Sequence, residues 1–187
     1  MAGFPLPWRG AGWVIALACV LAGCSESSLP DRLVDGQPFP DLSLVGLDGD
    51  KVPLSSFRGK LVVLNVWATW CPPCRKELPS LQRLSSTLDD RRFAVIGLSL
   101  DQDEVLVREY LIDKKVTYAN FMDRDMTIAD GVLGMGVYPD TFFISPDGMF
   151  VGRVVGATRW DEPRVVQALE AAFHGDATDL RSLPHGS

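Results

Sequence analysis

Two cysteines separated by two prolines are the residues of this chain whose types and spacing best suit chemistry. In Cys71-Pro72-Pro73-Cys74 the thiols stand three positions apart, so one helical turn brings them onto the same face. At the start of a helix, unpaired N–H groups and the helix dipole favour a thiolate at the first cysteine. Proline fits there because its missing N–H costs nothing at these positions. We therefore predict a redox-active pair in which Cys71 attacks a disulfide and Cys74 resolves the mixed disulfide.

The segments on either side of this motif are the ones expected to position it. Residues 61–67 form an almost continuous apolar run, which is typical of a strand buried on both faces of a central sheet. Residues 71–88 carry leucines at helical spacing. The pair is therefore predicted to lie where a buried strand passes into a helix.

The rest of the chain alternates between strand-like and helix-like patterns. Strands are predicted at 41–45, 51–54, 92–100, 118–121, 141–145 and 150–155, and helices at 104–114, 127–132 and 160–173. The first two strands flank an Asp-Gly turn, which indicates a hairpin. This order predicts an α/β fold with a central mixed sheet and helices on both faces, an N-terminal hairpin and a strand–helix insert.

The two ends of the chain are expected to lie outside the folded domain. Residues 1–23 contain Arg9, no acidic residue and an apolar run shorter than the about 20 residues of a membrane span, which indicates a signal peptide. The run ends in Leu21-Ala22-Gly23-Cys24, which resembles the lipobox of bacterial lipoproteins and implies lipidation of Cys24. Residues 24–37 would then be the lipidated cysteine and a linker, 38–173 the domain, and 174–187 a disordered tail. An uncleaved N-terminal anchor with an incidental Cys24 is the alternative.

Charge and histidine content exclude several classes of function. The net charge of −6 disfavours a nucleic-acid partner, which needs a basic face. Both histidines, His174 and His185, lie near the C-terminus, so a Ser-His-Asp hydrolase, a papain-like protease or a multi-histidine metal site lacks its residues. No metal site is predicted.

The sequence around the cysteines resembles one family. The run LNVWATWCPPCRKELP at residues 64–79 is similar to thioredoxin-like proteins of the TlpA, ResA and CcmG type, which are membrane-tethered, extracytoplasmic thiol–disulfide oxidoreductases. The resemblance extends over residues 38–173 and implies a thioredoxin-like fold. It implies no cofactor besides the Cys71–Cys74 disulfide, and it places Trp70, Pro72 and Pro73 against the substrate.

A second landmark of this family is a proline that precedes a strand. By similarity, Pro139 would be cis and face the disulfide, with the backbone of Tyr138 pairing with the substrate chain. The residues alone allow an ordinary trans turn proline equally well. Tyr138 is bulkier than the residue usual at this position, and we expect it to narrow or reshape the substrate groove.

A proton acceptor for Cys74 is also required. Asn65 stands where thioredoxin itself has a buried aspartate, and an amide cannot take up the proton. Glu77 lies three residues after Cys74 on the same helical face, and in ResA-like proteins a glutamate there belongs to the active site. We predict that partial burial raises the pKa of Glu77 and that it exchanges a proton with Cys74. The alternative is a solvated glutamate paired with Arg75 or Lys76.

The resemblance implies a reductase of disulfides in other envelope proteins, such as apocytochrome c or copper-site proteins. It would face the periplasm on a lipid anchor and receive electrons from a membrane thiol–disulfide relay. An oxidase that introduces disulfides would use the same pair. A thiol peroxidase is disfavoured because Ala68 stands where those enzymes need threonine. A lipoprotein holding copper or zinc through Cys71 and Cys74 is disfavoured because two thiolates leave a tetrahedral set incomplete.

Overall fold

A computed structural model of the chain describes residues 33–183, together with Met1 and Gly3. The predicted signal peptide, apart from these two residues, lies outside the described part, as do Cys24 and most of the expected linker. None of the helices within the described part has both the length and the apolar character needed to cross a membrane.

Seven strands form one mixed sheet. They are β1 (Ser43–Gly46), β2 (Lys51–Pro53), β3 (Leu61–Trp67), β4 (Phe93–Ser99), β5 (Ala119–Met122), β6 (Asp140–Ile144) and β7 (Phe150–Val155). Their order across the sheet is β2-β1-β5-β4-β3-β6-β7. Strands β3, β4 and β5 are parallel, whereas β1, β2, β6 and β7 add in antiparallel pairings. This arrangement confirms the predicted mixed sheet and N-terminal hairpin.

The strand that leads into the cysteine motif lies deep in the sheet. All seven residues of β3 are buried, and β4 and β6 pair with it on either side. Side chains alternate between the two faces of a strand, so Asn65 and Trp67 point to one face and Leu64 and Val66 to the other. Asn65 and Trp67 share the face on which the cysteine helix packs.

Helices flank the sheet, as predicted. They are α1 (Pro72–Thr87), α2 (Glu104–Asp113), α3 (Pro163–Phe173) and α4 (Thr178–Arg181), with a 3₁₀ turn at Leu54–Phe57 and a π-helical turn at Thr127–Val132. The ring of Tyr110 on α2 packs against Trp67 with centroids 5.8 Å apart. On the opposite face Phe57 of the 3₁₀ turn meets Phe121 edge-on, at 6.4 Å.

Gly97 of β4 leaves room for a side-chain hydrogen bond between the neighbouring strands β3 and β5. A Cβ atom at this position would lie 2.0 Å from Asn120 Oδ1 and 2.9 Å from Trp67 Nε1. These two atoms are joined by a hydrogen bond of 2.9 Å. Any larger residue at position 97 would collide with this hydrogen bond, so the position requires glycine.

The structure corrects the expected boundaries of the folded domain. The tail expected to be disordered from residue 174 instead contains α4, and Ala177, Leu180 and Leu183 are buried. These three apolar residues recur at every third position, so a short helix buries them together. At the other end, Gly36 N donates to Phe150 O at 2.8 Å, so the end of the expected linker is already attached to β7.

Candidate active site

The two cysteines lie at the junction between β3 and α1, joined by a disulfide. Cys71 is the residue that caps α1, and Pro72 and Pro73 occupy the first two helical positions. The backbone N–H of Cys74 donates to Cys71 Sγ at 3.3 Å. The helix N-terminus thus directs a backbone donor at the first sulfur, where it would stabilise a thiolate. The predicted placement of the motif is confirmed.

The two cysteines differ in their access to solvent. Cys71 is 5% exposed, whereas Cys74 is 0% exposed. A partner disulfide can therefore reach Cys71 first, while Cys74 is placed behind it. This asymmetry favours the roles predicted from the sequence.

A buried aspartate, whose role the sequence analysis missed, anchors the loop before the cysteines. Asp101 follows β4 and accepts hydrogen bonds from Thr69 N at 2.9 Å, Thr69 Oγ1 at 2.5 Å and Ser99 Oγ at 2.7 Å. Asp101 and Asp103 both precede α2 and are of a residue type that favours helix caps, but only Asp103 caps α2, by accepting from Val105 N at 2.9 Å. Because β3 and β4 are parallel, the loops that follow them meet at one edge of the sheet, and that adjacency was the available signal.

A wall of aromatic side chains stands beside the disulfide. The bond between Tyr138 and Pro139 is cis, as expected. The ring of Tyr138 meets Trp70 edge-on with centroids 6.0 Å apart, and its hydroxyl bonds to Asp130 Oδ1 at 3.1 Å. Trp70 is 53% exposed. The segment that ends at Pro139 therefore adjoins the cysteine loop, and the aromatic wall formed by Trp70 and Tyr138 faces solvent there.

Glu77 lies on the buried side of α1, and its side chain is 2% exposed. Its Oε1 accepts from Asn65 Nδ2 at 2.8 Å, and its Oε2 accepts from Thr158 N at 3.0 Å and Trp160 Nε1 at 2.9 Å. Burial raises the pKa of Glu77 to about 7, although the three hydrogen bonds oppose the rise. The predicted direction of the pKa change is confirmed, with burial more complete than expected. The alternative of a solvated glutamate is wrong.

A second buried carboxylate follows the cis proline. Asp140 is fully buried and forms an ion pair with Arg153 on the neighbouring strand β7. The guanidinium of Arg153 also lies over the ring of Phe142, 5.0 Å from its centroid. The charge of Asp140 contributes to the raised pKa of Glu77. In the sequence, only the strand patterns of β6 and β7 indicated that Asp140 and Arg153 could meet.

Asp123 and two methionines near the site serve the fold. The carboxylate of Asp123 accepts from Ile128 N at 3.1 Å and Ala129 N at 2.8 Å, and so closes the turn that follows it. Met122 and Met135 are buried in the hydrophobic core. Within residues 33–183, no group of three histidine, cysteine or acidic side chains could hold a metal ion.

Known proteins share this sequence and fold. Residues 36–151 match the AhpC/TSA family. The chain is 33% identical over 160 residues to the thiol-disulfide oxidoreductase ResA of Oceanobacillus iheyensis, covering 82% of this chain and 83% of that protein. It is 35% identical over 135 residues to the thiol:disulfide interchange protein DsbE of Pseudomonas fluorescens biotype C, covering 70% and 71%.

A solved structure shows the same architecture. The crystal structure of a thiol:disulfide interchange protein of the thioredoxin family from Chlorobium tepidum superimposes with a TM-score of 0.59 at 29% identity. The match covers 70% of this chain and 94% of that one. The chain therefore belongs to the AhpC/TSA family, as a thioredoxin-fold thiol–disulfide oxidoreductase with the Cys71–Cys74 pair.

Proposed function

We propose that this oxidoreductase works as a reductase of disulfides in other proteins of the cell envelope. The observation that carries the exchange chemistry is the placement of Cys71, which caps α1, receives the Cys74 N–H and is the more exposed of the two cysteines. The direction of electron flow is proposed from the resemblance to the TlpA, ResA and CcmG type. Relatives named for thiol–disulfide interchange support the reaction class.

The reaction proceeds through two exchanges. The Cys71 thiolate attacks one sulfur of the substrate disulfide, forms a mixed disulfide and releases the other substrate sulfur as a thiolate. Cys74 then gives its proton to Glu77 and attacks Cys71 as a thiolate, which releases the second substrate sulfur. Two electrons pass from the dithiol to the substrate, and the Cys71–Cys74 disulfide remains. A membrane thiol–disulfide relay would return two electrons to it.

The aromatic wall gives the substrate chain its place. Trp70, Pro72 and Pro73 would lie on one side of an extended segment, and the backbone of Tyr138 before Pro139 would pair with it on the other. Apocytochrome c and copper-site proteins are the substrate classes that we propose.

We place the enzyme on the periplasmic side of a membrane, held by a lipid on Cys24. The apolar run and the lipobox-like sequence at residues 21–24 support this location. Fractionation of cells that produce the full chain tests it. The protein should follow the membranes, and a Cys24→Ala variant should be released. Retention of both forms would favour the uncleaved N-terminal anchor, and release of both would contradict the lipid anchor.

The reduction potential of the Cys71–Cys74 pair tests the direction of electron flow. Equilibration against glutathione or dithiothreitol should give a reduction potential close to that of thioredoxin, which is about −270 mV. A value near the about −120 mV of strongly oxidising proteins would make the enzyme an oxidase that introduces disulfides.

Trapping of the mixed disulfide tests the roles of the two cysteines. Cys74→Ser should accumulate disulfide-linked partners through Cys71, whereas Cys71→Ser, the matched control, should accumulate none. The reverse pattern would exchange the two roles. The peroxidase alternative, which Ala68 disfavours, has a separate test. Consumption of hydrogen peroxide by the reduced enzyme would support it.

A further inference from the structure

The side-chain amide of Asn65 is satisfied at one end only. Its Nδ2 donates to Glu77 Oε1 at 2.8 Å and to Thr141 Oγ1 at 2.9 Å. Its Oδ1 is buried and has no hydrogen-bond partner among the described residues. An unpaired buried carbonyl oxygen destabilises the fold, so its presence beside a titrating carboxylate calls for a physical reason.

The present orientation of the amide suits only the ionised form of Glu77. A carboxylate accepts hydrogen bonds at both oxygens, and each oxygen faces N–H donors. A proton added to the carboxyl group needs an acceptor. Oε2 already receives two N–H groups, from Thr158 and Trp160, which can only donate. Oε1 is therefore the favoured position for the proton, and there it would meet the Asn65 NH₂ group, which also only donates.

Rotation of the Asn65 amide by half a turn removes this conflict. Oδ1 would then take the place of Nδ2 and accept from the Glu77 Oε1–H. The hydroxyl of Thr141, which accepts from Nδ2 in the present orientation, can donate to Oδ1 instead, because a hydroxyl serves as donor or acceptor. One end of the amide is left without a partner in either orientation. The unpaired end therefore makes the two orientations comparable, since neither of them satisfies the whole amide.

We propose that Asn65 positions the active-site proton by adopting two orientations. Nδ2 faces Glu77 when Glu77 is a carboxylate, and Oδ1 faces it when Glu77 is a carboxylic acid. The inference rests on the proposed exchange of a proton between Cys74 and Glu77. Each reaction cycle would then turn the amide over when Glu77 takes up the proton, and back when the proton leaves. Asn65 thus holds the proton at Oε1, on the side of the carboxyl group that faces β3.

Two other ionisable groups act on Glu77 from neighbouring strands. Asp140 on β6, paired with Arg153, raises the pKa of Glu77 through its negative charge. Tyr118, next to β5, keeps its phenolic proton because burial raises its pKa. Tyr118 therefore stays neutral while Glu77 titrates.

Nuclear Overhauser contacts in the oxidised, isotope-labelled protein test the proposal. The Asn65 side-chain NH₂ should show a contact with the β proton and methyl group of Thr141 at pH values well above the Glu77 pKa of about 7. This contact should vanish well below that pKa. Asn120 is the matched control, because its Oδ1 accepts from Trp67 Nε1 and its Nδ2 donates to Tyr118 O, both at 2.9 Å. Its amide is fixed at both ends, and its contacts should not change.

A Glu77→Gln variant sharpens the test. Two N–H donors fix the glutamine oxygen toward Thr158 and Trp160, so the glutamine nitrogen faces Asn65 and requires Oδ1 there. The Asn65–Thr141 contact should be absent from this variant at every pH. A contact that persists at low pH, persists in Glu77→Gln or is missing at high pH would overturn the proposal. The measurement needs no substrate, so a failed reductase assay would leave its result unaffected, and its failure would leave the trapping experiment unaffected.

Discussion

The indole of Trp160 donates to the carboxylate of Glu77 at 2.9 Å, across 83 residues of sequence, and both side chains are buried. Ser80 on the next turn of α1 strengthens the same connection, since its Oγ accepts from Trp160 N at 3.2 Å. The helix that begins with the reactive cysteines is therefore bound along its buried side to the segment before α3. The pKa of Glu77 depends on this long-range packing.

Stability should depend on pH through Glu77. Burial raises its pKa from 4.5 to about 7, so between these values the folded protein binds a proton that the unfolded chain has lost. The contribution to the free energy of unfolding is greatest below pH 4.5 and should decline by about 3 kcal/mol as the pH rises through the window. Glu77→Gln should lack this decline in urea unfolding at a series of pH values. Parallel curves for the two proteins would show that Glu77 does not titrate in this range.

Trp160→Phe should raise the pKa of Glu77 further. The substitution keeps an aromatic ring against Phe143, 6.1 Å away, but removes one donor to the carboxylate. A hydrogen bond of this kind corresponds to about one pKa unit. The carboxyl carbon resonance of Glu77 measures the titration directly.

Trp67→Phe is the control for this change. It also deletes a buried indole donor, but one that bonds Asn120, so it should reduce stability without moving the Glu77 titration. Equal pKa changes in both variants would attribute the effect to general loosening of the fold.

Asp101→Ala should slow the reaction of Cys71 and destabilise the protein. Three donors, two of them from Thr69, would lose their buried acceptor, at a cost of about 3 kcal/mol. The loop that presents Cys71 would lose its anchor. Asp103→Ala removes a helix cap of α2 instead and should cost about 1 kcal/mol with an unchanged rate of thiol alkylation at reduced Cys71. A normal alkylation rate in Asp101→Ala would limit Asp101 to a role in stability.

Tyr138→Val should favour bulky substrates. Loss of the ring removes the contact with Trp70 and the bond to Asp130, and the groove beside the disulfide widens. We expect kcat/KM for protein disulfides to rise about fivefold, which corresponds to about 1 kcal/mol, while reduction of glutathione disulfide stays nearly constant. Asp130→Ala removes the hydrogen bond to the Tyr138 hydroxyl but keeps the ring. Its kcat/KM for protein disulfides should lie between those of the unmodified protein and of Tyr138→Val. A similar change for both substrates would argue against a steric role.

The local parts of the site could be predicted from the sequence, because they depend on neighbouring residues. Cys71, the two prolines and Cys74 form one helical start, and the apolar run of β3 specifies its own burial. Glu77 could be placed on the same helical face by spacing alone. Its burial was underestimated, since Trp160 and Thr158, which cover it, approach from a distant loop.

The interactions that escaped prediction are those made between separate elements. Asp101 has the type and position of a helix cap, and only the parallel pairing of β3 and β4 turns it toward Thr69. The C-terminal segment has a polar composition, and the burial of its three spaced apolar residues depends on α3 and β7, against which α4 packs. Composition of a short segment cannot show the surface that it will cover.

The bond between Trp160 and Glu77 also has a consequence for the newly made chain. Synthesis proceeds from the N-terminus, so the Cys71–Cys74 pair exists well before the residue that completes its surroundings. Until Trp160 and Thr158 have been added, Glu77 lacks the cover that raises its pKa, and its carboxyl group titrates as it would in water. An unfinished chain therefore carries both thiols before the pKa of Glu77 has been raised, and residues 158–160 complete the surroundings of that carboxyl group.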